Sequence, residues 1–197
     1  MVSKNHVQRT WKRTTKLIKI KIGWKYLALP FNNNLNFNYN TIFQFFFKKT
    51  MKKILIVQAV FYEDISRMLL DGAIAKIIKN NFEYDVVSLK GALESPCAIA
   101  IAKETKKYVG FVALGCIIRG ETTHYESVCN ESARGLNDLA INHQLAIGNG
   151  IITVENEEQA LARADMNKLD KGGFAVEACL SIISIKEQYK KLWKKSV

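Results

Sequence analysis

From Lys53 onward, short runs rich in β-branched and apolar residues alternate with stretches in which apolar residues recur every three or four positions, four times over. The runs Ile54 to Ala59, Asp85 to Leu89, Val109 to Ile118 and Ala146 to Thr153 predict strands, and their continuous apolar character suits strands buried on both faces of a helix-covered parallel sheet. Between the first two, Asp64 to Asn80 sets Ile65, Met68, Leu69, Gly72, Ala73 and Ile77 on one helical face. Ser95-Pro96 reads as the N-cap and first residue of a second helix, and Thr123 to Gln144 supplies a third. Asn156 with Gln159 three residues on resembles a capping box, opening a helix that carries Arg163, and a last helix is expected from about Gly173 to Trp193. The right-handed crossover rule turns this βαβαβαβα order, with its further helix, into an open three-layer α/β/α sandwich on a four-stranded parallel sheet.

The pattern breaks down before Met51. Residues 1 to 50 hold ten Lys and Arg and no acid, six Asn between 31 and 40, and neither helix caps nor a periodic apolar face. Such a segment has little with which to form a core, and it is expected to be disordered or an upstream-start extension. Met51-Lys52-Lys53 leads directly into the first strand of the domain, as a natural start does. A transit peptide fits less well, because Ser3 is the only serine of the segment. The net charge of +11 is confined there: residues 51 to 197 carry nineteen basic against eighteen acidic side chains. That domain offers a nucleic-acid backbone no large field to follow.

Other classes are excluded more quickly. No apolar run reaches the roughly 18 to 20 residues that a membrane-spanning helix needs. Cys97, Cys116, Cys129 and Cys179 form no CxxC pair, and no His stands at zinc-ligand spacing, so they read as reduced, mostly buried thiols of a cytoplasmic protein with no metal.

In open parallel sheets ligands bind beyond the carboxyl ends of the strands. There the sequence sets Ala59-Val60-Phe61-Tyr62, then Gly91-Ala92-Leu93-Glu94, then Ile118-Arg119-Gly120-Glu121-Thr122-Thr123-His124, with Gly148-Asn149-Gly150 around the fourth strand. An aromatic, a carboxylate, a glycine turn and a histidine are thereby expected on one rim, as a small-molecule site. Gly120 permits a tight turn, and Thr122, Thr123 and the free N–H groups of the next helix could hold a phosphate. His124 falls in that helix's first turn, where the helix dipole disfavours its protonated form and a neutral imidazole can move protons. A structural histidine capping the helix fits the same position equally well. Arg163, Lys171 and Phe61, each alone, read as surface charges and a core ring.

Taken in order, Gly91-Ala92-Leu93-Glu94, Leu114-Gly115-Cys116-Ile117-Ile118-Arg119-Gly120-Glu121-Thr122-Thr123-His124-Tyr125, Asn130-Glu131-Ser132-Ala133-Arg134-Gly135-Leu136 and Thr153-Val154-Glu155-Asn156 through Ala162-Arg163-Ala164 resemble the lumazine synthase family, over about residues 53 to 185. The resemblance implies a flavodoxin-like α/β fold and a cofactor-free transferase of riboflavin biosynthesis. Its reaction condenses 5-amino-6-(D-ribitylamino)uracil with 3,4-dihydroxy-2-butanone 4-phosphate, releasing phosphate and water and giving 6,7-dimethyl-8-ribityllumazine. Carried over by position, Phe61 stacks on the pyrimidine, Ala92, Leu93 and Glu94 hold the ribityl chain, and Cys116, Ile117 and Ile118 offer backbone groups to the ring. Glu121, Thr122 and Arg163 bind the phosphate, His124 shuttles protons, and Lys171 adds positive charge. Three departures stand out: Asn149 replaces a frequent aromatic, Leu93 a frequent Phe, and Glu121 a frequent small residue. The resemblance further implies pentamers or their multiples, with each active site shared between subunits, and riboflavin synthase as a candidate partner.

Rivals from other classes fare worse on the residues. A flavodoxin-like module that only binds a flavin or nucleotide finds neither a Walker loop nor a G-x-G-x-x-G element to support it. A dead structural shell has no use for Phe61, Glu94, His124 and Arg163 together.

Overall fold

The structure, a computed structural model, describes residues 17–22, 25–30 and 51–193, and the chain divides into two compact units, Met1–Lys49 and Thr50–Val197. In the first unit, strands β1 (Leu17–Ile22) and β2 (Lys25–Pro30) pair antiparallel, from Leu17 opposite Pro30 to Ile22 opposite Lys25. Sequence reading gave this stretch no element. Yet Ile18, Ile20 and Ile22 alternate with Lys19 and Lys21 at the period of a strand. The expectation of disorder for the rest of the leader concerns positions outside the described residues.

The second unit runs β3 (Lys53–Ala59), α1 (Glu63–Lys79), β4 (Glu83–Leu89), a 3₁₀ turn (Ala92–Glu94), α2 (Ser95–Lys103), β5 (Gly110–Ile118), α3 (His124–Asn142), β6 (Ile147–Val154), α4 (Glu157–Ala164) and α5 (Lys171–Trp193). Its four strands are all parallel in the order β4-β3-β5-β6. This is the expected α/β/α sandwich, with each predicted strand found within one or two residues of its expected ends.

Period-two alternation places the two faces of β3 in two different cores. Ile54 and Ile56 join Leu69, Ala73 and Ile77 of α1 and Ala175, Val176 and Cys179 of α5 on one face. Leu55 and Val57 join Ile99 of α2 and Leu136 of α3 on the other. Each Ile, Leu or Val side chain among these, fully buried, contributes about 1.5–3 kcal/mol. The outer strands depart from the expected burial on both faces. Val86 and Val87 of β4 are 38 % and 41 % exposed, and β6 alternates buried and open positions, because each has a neighbouring strand on one side only.

Backbone contact fixes how closely α5 lies on the unit. A Cβ at Gly148 would stand 1.9 Å from the Ala175 carbonyl oxygen, and one at Gly172 2.0 Å from that of Leu69, so any larger residue would push the helix off β6 and α1. Asp170, with φ of 40°, accepts from the Gly173 N–H at 3.0 Å and so caps α5.

The second helix corrects an expectation. Ser95 is already helical and follows directly on the 3₁₀ turn, with Glu94 as the flanking residue, so it does not act as the N-cap. Its hydroxyl is buried with no hydrogen-bond partner. At α4 the Asn156 side chain accepts from Gln159 N–H at 2.9 Å as expected, while the Gln159 carboxamide oxygen accepts from Glu155 N–H rather than from Asn156.

Candidate active site

One unpaired backbone edge opens the main cavity. β3 pairs with β5 only as far as Gln58 opposite Leu114, whereas β5 continues to Ile118 along β6. The β3-facing edge of Gly115 to Ile118 therefore carries backbone groups that no strand satisfies. Above this edge the chain leaves β3 through Phe61 and leaves β4 through Gly91, the two exits joined by the Val60 N–H donating to the Leu89 carbonyl at 2.9 Å. The buried Ser66 hydroxyl donates to the Ala59 carbonyl at 2.7 Å and ties α1 to the end of β3.

The resulting cavity, of about 300 Å³, is lined by Phe61, Tyr62, Gly91, Ala92, Leu93, Glu94, Cys116, Ile117, Ile118, Gly120, Thr122, His124, Tyr125 and Val128. Its floor is Ala59, Ala92 and Ile117, packed against Tyr125, Val128 and Cys129. Phe61 is 73 % exposed and meets Tyr62 edge-on at 5.0 Å, so its ring stands over the opening and is no core residue. Burial pushes the Cys116 thiol up to about 12, which keeps it neutral at physiological pH.

Nine of the thirteen predicted site residues meet here: Phe61, Ala92, Leu93, Glu94, Cys116, Ile117, Ile118, Thr122 and His124. Glu121 is exposed and does not line the cavity. Gly120 takes a φ outside the left-handed region, so the backbone there does not itself demand a glycine. What its missing side chain provides is room, with nothing within 4 Å of a Cβ placed there. Tyr62, Gly91, Tyr125 and Val128 were not singled out as binding residues. Helical spacing from His124 could have supplied Val128, four residues on.

The other three residues lie elsewhere. A second cavity, of about 270 Å³, is lined by Asn149, Gly150, Ile151, Ile152, Thr153, Arg163, Lys171 and Phe174, and shares no lining residue with the first. The expectation that Asn149 stands on the strand-end rim is therefore corrected: it pairs with Ala113 in mid-strand, on the outer edge of the sheet. Its side-chain oxygen accepts from the Ile151 N–H at 3.0 Å, occupying an edge donor.

The charges of the two cavities are complementary. No Lys or Arg lines the first, and no histidine lines the second. Arg163 donates to the Gln159 carbonyl at 3.1 Å and makes no ion pair among the described residues, so its guanidinium charge is uncompensated. Lys171 sits 4.9 Å above the Phe174 ring, which is itself 59 % exposed. Among the described residues no cluster of three His, Cys, Asp or Glu is placed to hold a metal ion, and no helix is long and apolar enough to cross a membrane.

Comparison with known proteins shows the family. Residues 51–187 match the family described as 6,7-dimethyl-8-ribityllumazine synthase. The protein of that name from Bartonella tribocorum is 53 % identical over 145 residues, covering 72 % of this chain and 96 % of the relative. That from Sphingopyxis alaskensis is 51 % identical over 139 residues, covering 71 % and 98 %, and 6,7-dimethyl-8-ribityllumazine synthase 1 of Rhizobium meliloti is 52 % identical over 140, covering 68 % and 92 %.

Proposed function

Because this chain belongs to the 6,7-dimethyl-8-ribityllumazine synthase family, we propose that the family's reaction runs at a composite site, the strand-end cavity of one copy facing the Arg163 cleft of the next. The chain is a transferase of riboflavin biosynthesis. It condenses 5-amino-6-(D-ribitylamino)uracil with 3,4-dihydroxy-2-butanone 4-phosphate to 6,7-dimethyl-8-ribityllumazine, releasing phosphate and water, the penultimate step of that route.

One observation carries the composite site. The residues of a single reaction fall into two cavities of one chain that share no wall, one holding the imidazole and the other the cations. A second copy bringing its Arg163 over the first cavity supplies what that cavity lacks. The assembly proposed is a homopentamer or a multiple of it, located in the cytoplasm, with riboflavin synthase a further candidate partner. Residues 51–197 form the working domain, and residues 1–50 take no part in the chemistry.

The residues act as follows. The aminouracil ring reads the unpaired backbone edge of Cys116, Ile117 and Ile118 beneath the Phe61 ring, and its ribityl hydroxyls meet Ala92, Leu93 and the Glu94 carboxylate. The phosphate sits at the N–H groups of Thr122 and the opening turn of α3, with Arg163 of the next copy forming a two-pronged pair. Glu121 faces solvent and spares the phosphate a like charge. Lys171 and Asn149 complete the cleft around the pyrimidine.

His124 moves protons as the amine adds to the ketone, as phosphate leaves and as the ring closes. An amine and a ketone already react without help, so holding both in register supplies much of the acceleration. The neutral Cys116 thiol does not compete for the ketone.

The test is lumazine formation by the full chain, and by residues 51–197, against the spontaneous rate at the same substrate concentrations. Acceleration that disappears with Arg163→Ala and falls with His124→Ala supports the reading. An assembled protein that gives no acceleration overturns it.

A further inference from the structure

Arg119 lies in the motif at the end of β5 but lines neither cavity. Its side chain instead joins three elements. The Nε donates to Glu155 Oε2, just past β6, at 2.7 Å, another guanidinium nitrogen pairs with Glu126 in the first turn of α3, and the guanidinium carbon lies 4.1 Å above the Tyr125 ring. Both carboxylates hold the guanidinium firmly protonated, and Arg119 in turn pulls the Glu126 carboxyl below its ordinary value. Tyr125 lines the cavity immediately after His124 and interacts with Thr153, a wall of the second cavity.

The loop this cluster embraces has little else to hold it. Thr123 precedes α3 without a side-chain cap, the Thr122 hydroxyl accepts from the His124 N–H at 3.4 Å, and the Ser127 N–H reaches the Thr123 carbonyl at 3.4 Å. Both are long hydrogen bonds. Exposed ion pairs add little to global stability, and Arg134, whose two carboxylate partners lie on its own helix, shows the usual surface form. A fork that ties β6 to the first turn of α3 and to a cavity wall has a different consequence, because it sets where the imidazole stands.

We infer that Arg119 is a positioning residue, clamping the 120–124 loop and the His124 turn to the end of β6 through Glu126, Glu155 and Tyr125. The two carboxylates also neutralise it, so that the phosphate is left to Arg163. The inference rests on His124 and this loop serving the condensation.

The experiment compares wild type, Arg119→Ala, Arg119→Lys, Glu126→Gln and Glu155→Gln as full, assembled chains. It measures kcat, KM for each substrate, and amide hydrogen exchange. Displacing a proton-transfer group by an ångström costs on the order of 100-fold, so Arg119→Ala should lower kcat about 10- to 100-fold. The KM for the phosphate substrate should rise more than that for the aminouracil, whose stacking and ribityl contacts at Phe61 and Ala92 to Glu94 lie on other strand ends. Lysine reaches one carboxylate but cannot fork between two, so Arg119→Lys should recover part of kcat and each Gln variant should lose part. Amides 120–127 should exchange faster in Arg119→Ala while those of β3 and α1 do not.

Wild-type kcat in Arg119→Ala overturns the clamp, as does faster exchange spread evenly over the domain. If Arg119→Ala does not assemble, wild-type kcat in both Gln variants overturns it. A wild type that gives no acceleration defeats the functional reading instead, and the exchange pattern still decides whether Arg119 holds the loop.

Discussion

The strand-end cavity is walled by a backbone edge, aromatic and aliphatic side chains, one carboxylate and one imidazole, whereas the cleft beside β6 holds two cations carried on helices. The first recognises by shape and by main-chain groups that cannot be mutated away. The second acts through charge concentrated in two side chains. Variants should therefore behave differently in the two regions: gradual losses where the backbone does the recognition, abrupt ones where a single guanidinium does.

The sharpest way to break this comparison is Arg163→Ala. Removing a preorganised donor to a developing charge costs on the order of 10³-fold in kcat/KM, and His124→Ala on the order of 10²-fold. Co-assembling the two inactive chains at equal ratio should restore activity at about a quarter of the sites, because each chain then lends its neighbour the half it still has. Absence of recovery from mixed assemblies would put both halves in one subunit.

Asn149→Phe sharpens the comparison by giving the cationic cleft a further aromatic face, on β6. Stacking is worth about 0.5–1.5 kcal/mol, so the aminouracil KM should fall about threefold to tenfold with kcat little changed. Substrate titrations at saturating butanone phosphate measure it.

At the cavity floor, alkylation by iodoacetamide at neutral pH, read by mass spectrometry, should label the exposed Cys97 and leave the buried, neutral Cys116 unmodified.

The smallest effect is expected far from both cavities. Asp85 accepts from Lys53 at 2.9 Å and from the Tyr108 hydroxyl at 2.8 Å, and also pairs with Lys107. Lys107, then Lys53 and Tyr108, hold its carboxyl well below the ordinary range. The folded value is the lower one, so this cluster stabilises fully above about pH 4 and its contribution is lost as pH falls through the depressed value. Asp85→Asn should lower the denaturation midpoint slightly at pH 7 and flatten its decline in acid.

Much of the fold was legible because period-two and helical patterning survive in a sheet covered on both sides. Ile54 to Val57 could hardly be anything but a buried strand. The rim residues from Phe61 to His124 were legible by the same logic, since strand ends converge in such sheets. Asn149 was not, because a Gly-Asn-Gly triplet reads as a turn, while here the glycines serve the close approach of α5 and the asparagine sits mid-strand. The separation of Arg163 and Lys171 from His124 was equally hidden within one chain, because sequence order does not say which side of β6 a following helix takes. Arg119 stood inside the motif, but its partners, at 126 and 155, come together only when β6 lies beside β5.

The backbone contacts that seat α5 also order events during synthesis. One face of the sheet is finished by Ala175, Val176, Cys179 and Ile183, against β3, β5, β6 and α1, all made before them. Until those turns of α5 leave the ribosome, Ile54, Val112 and Ile152 have only part of their cover. A nascent chain halted after β6 presents a greasy, half-roofed sheet, a natural substrate for chaperones, and release from them should coincide with arrival of the final helix.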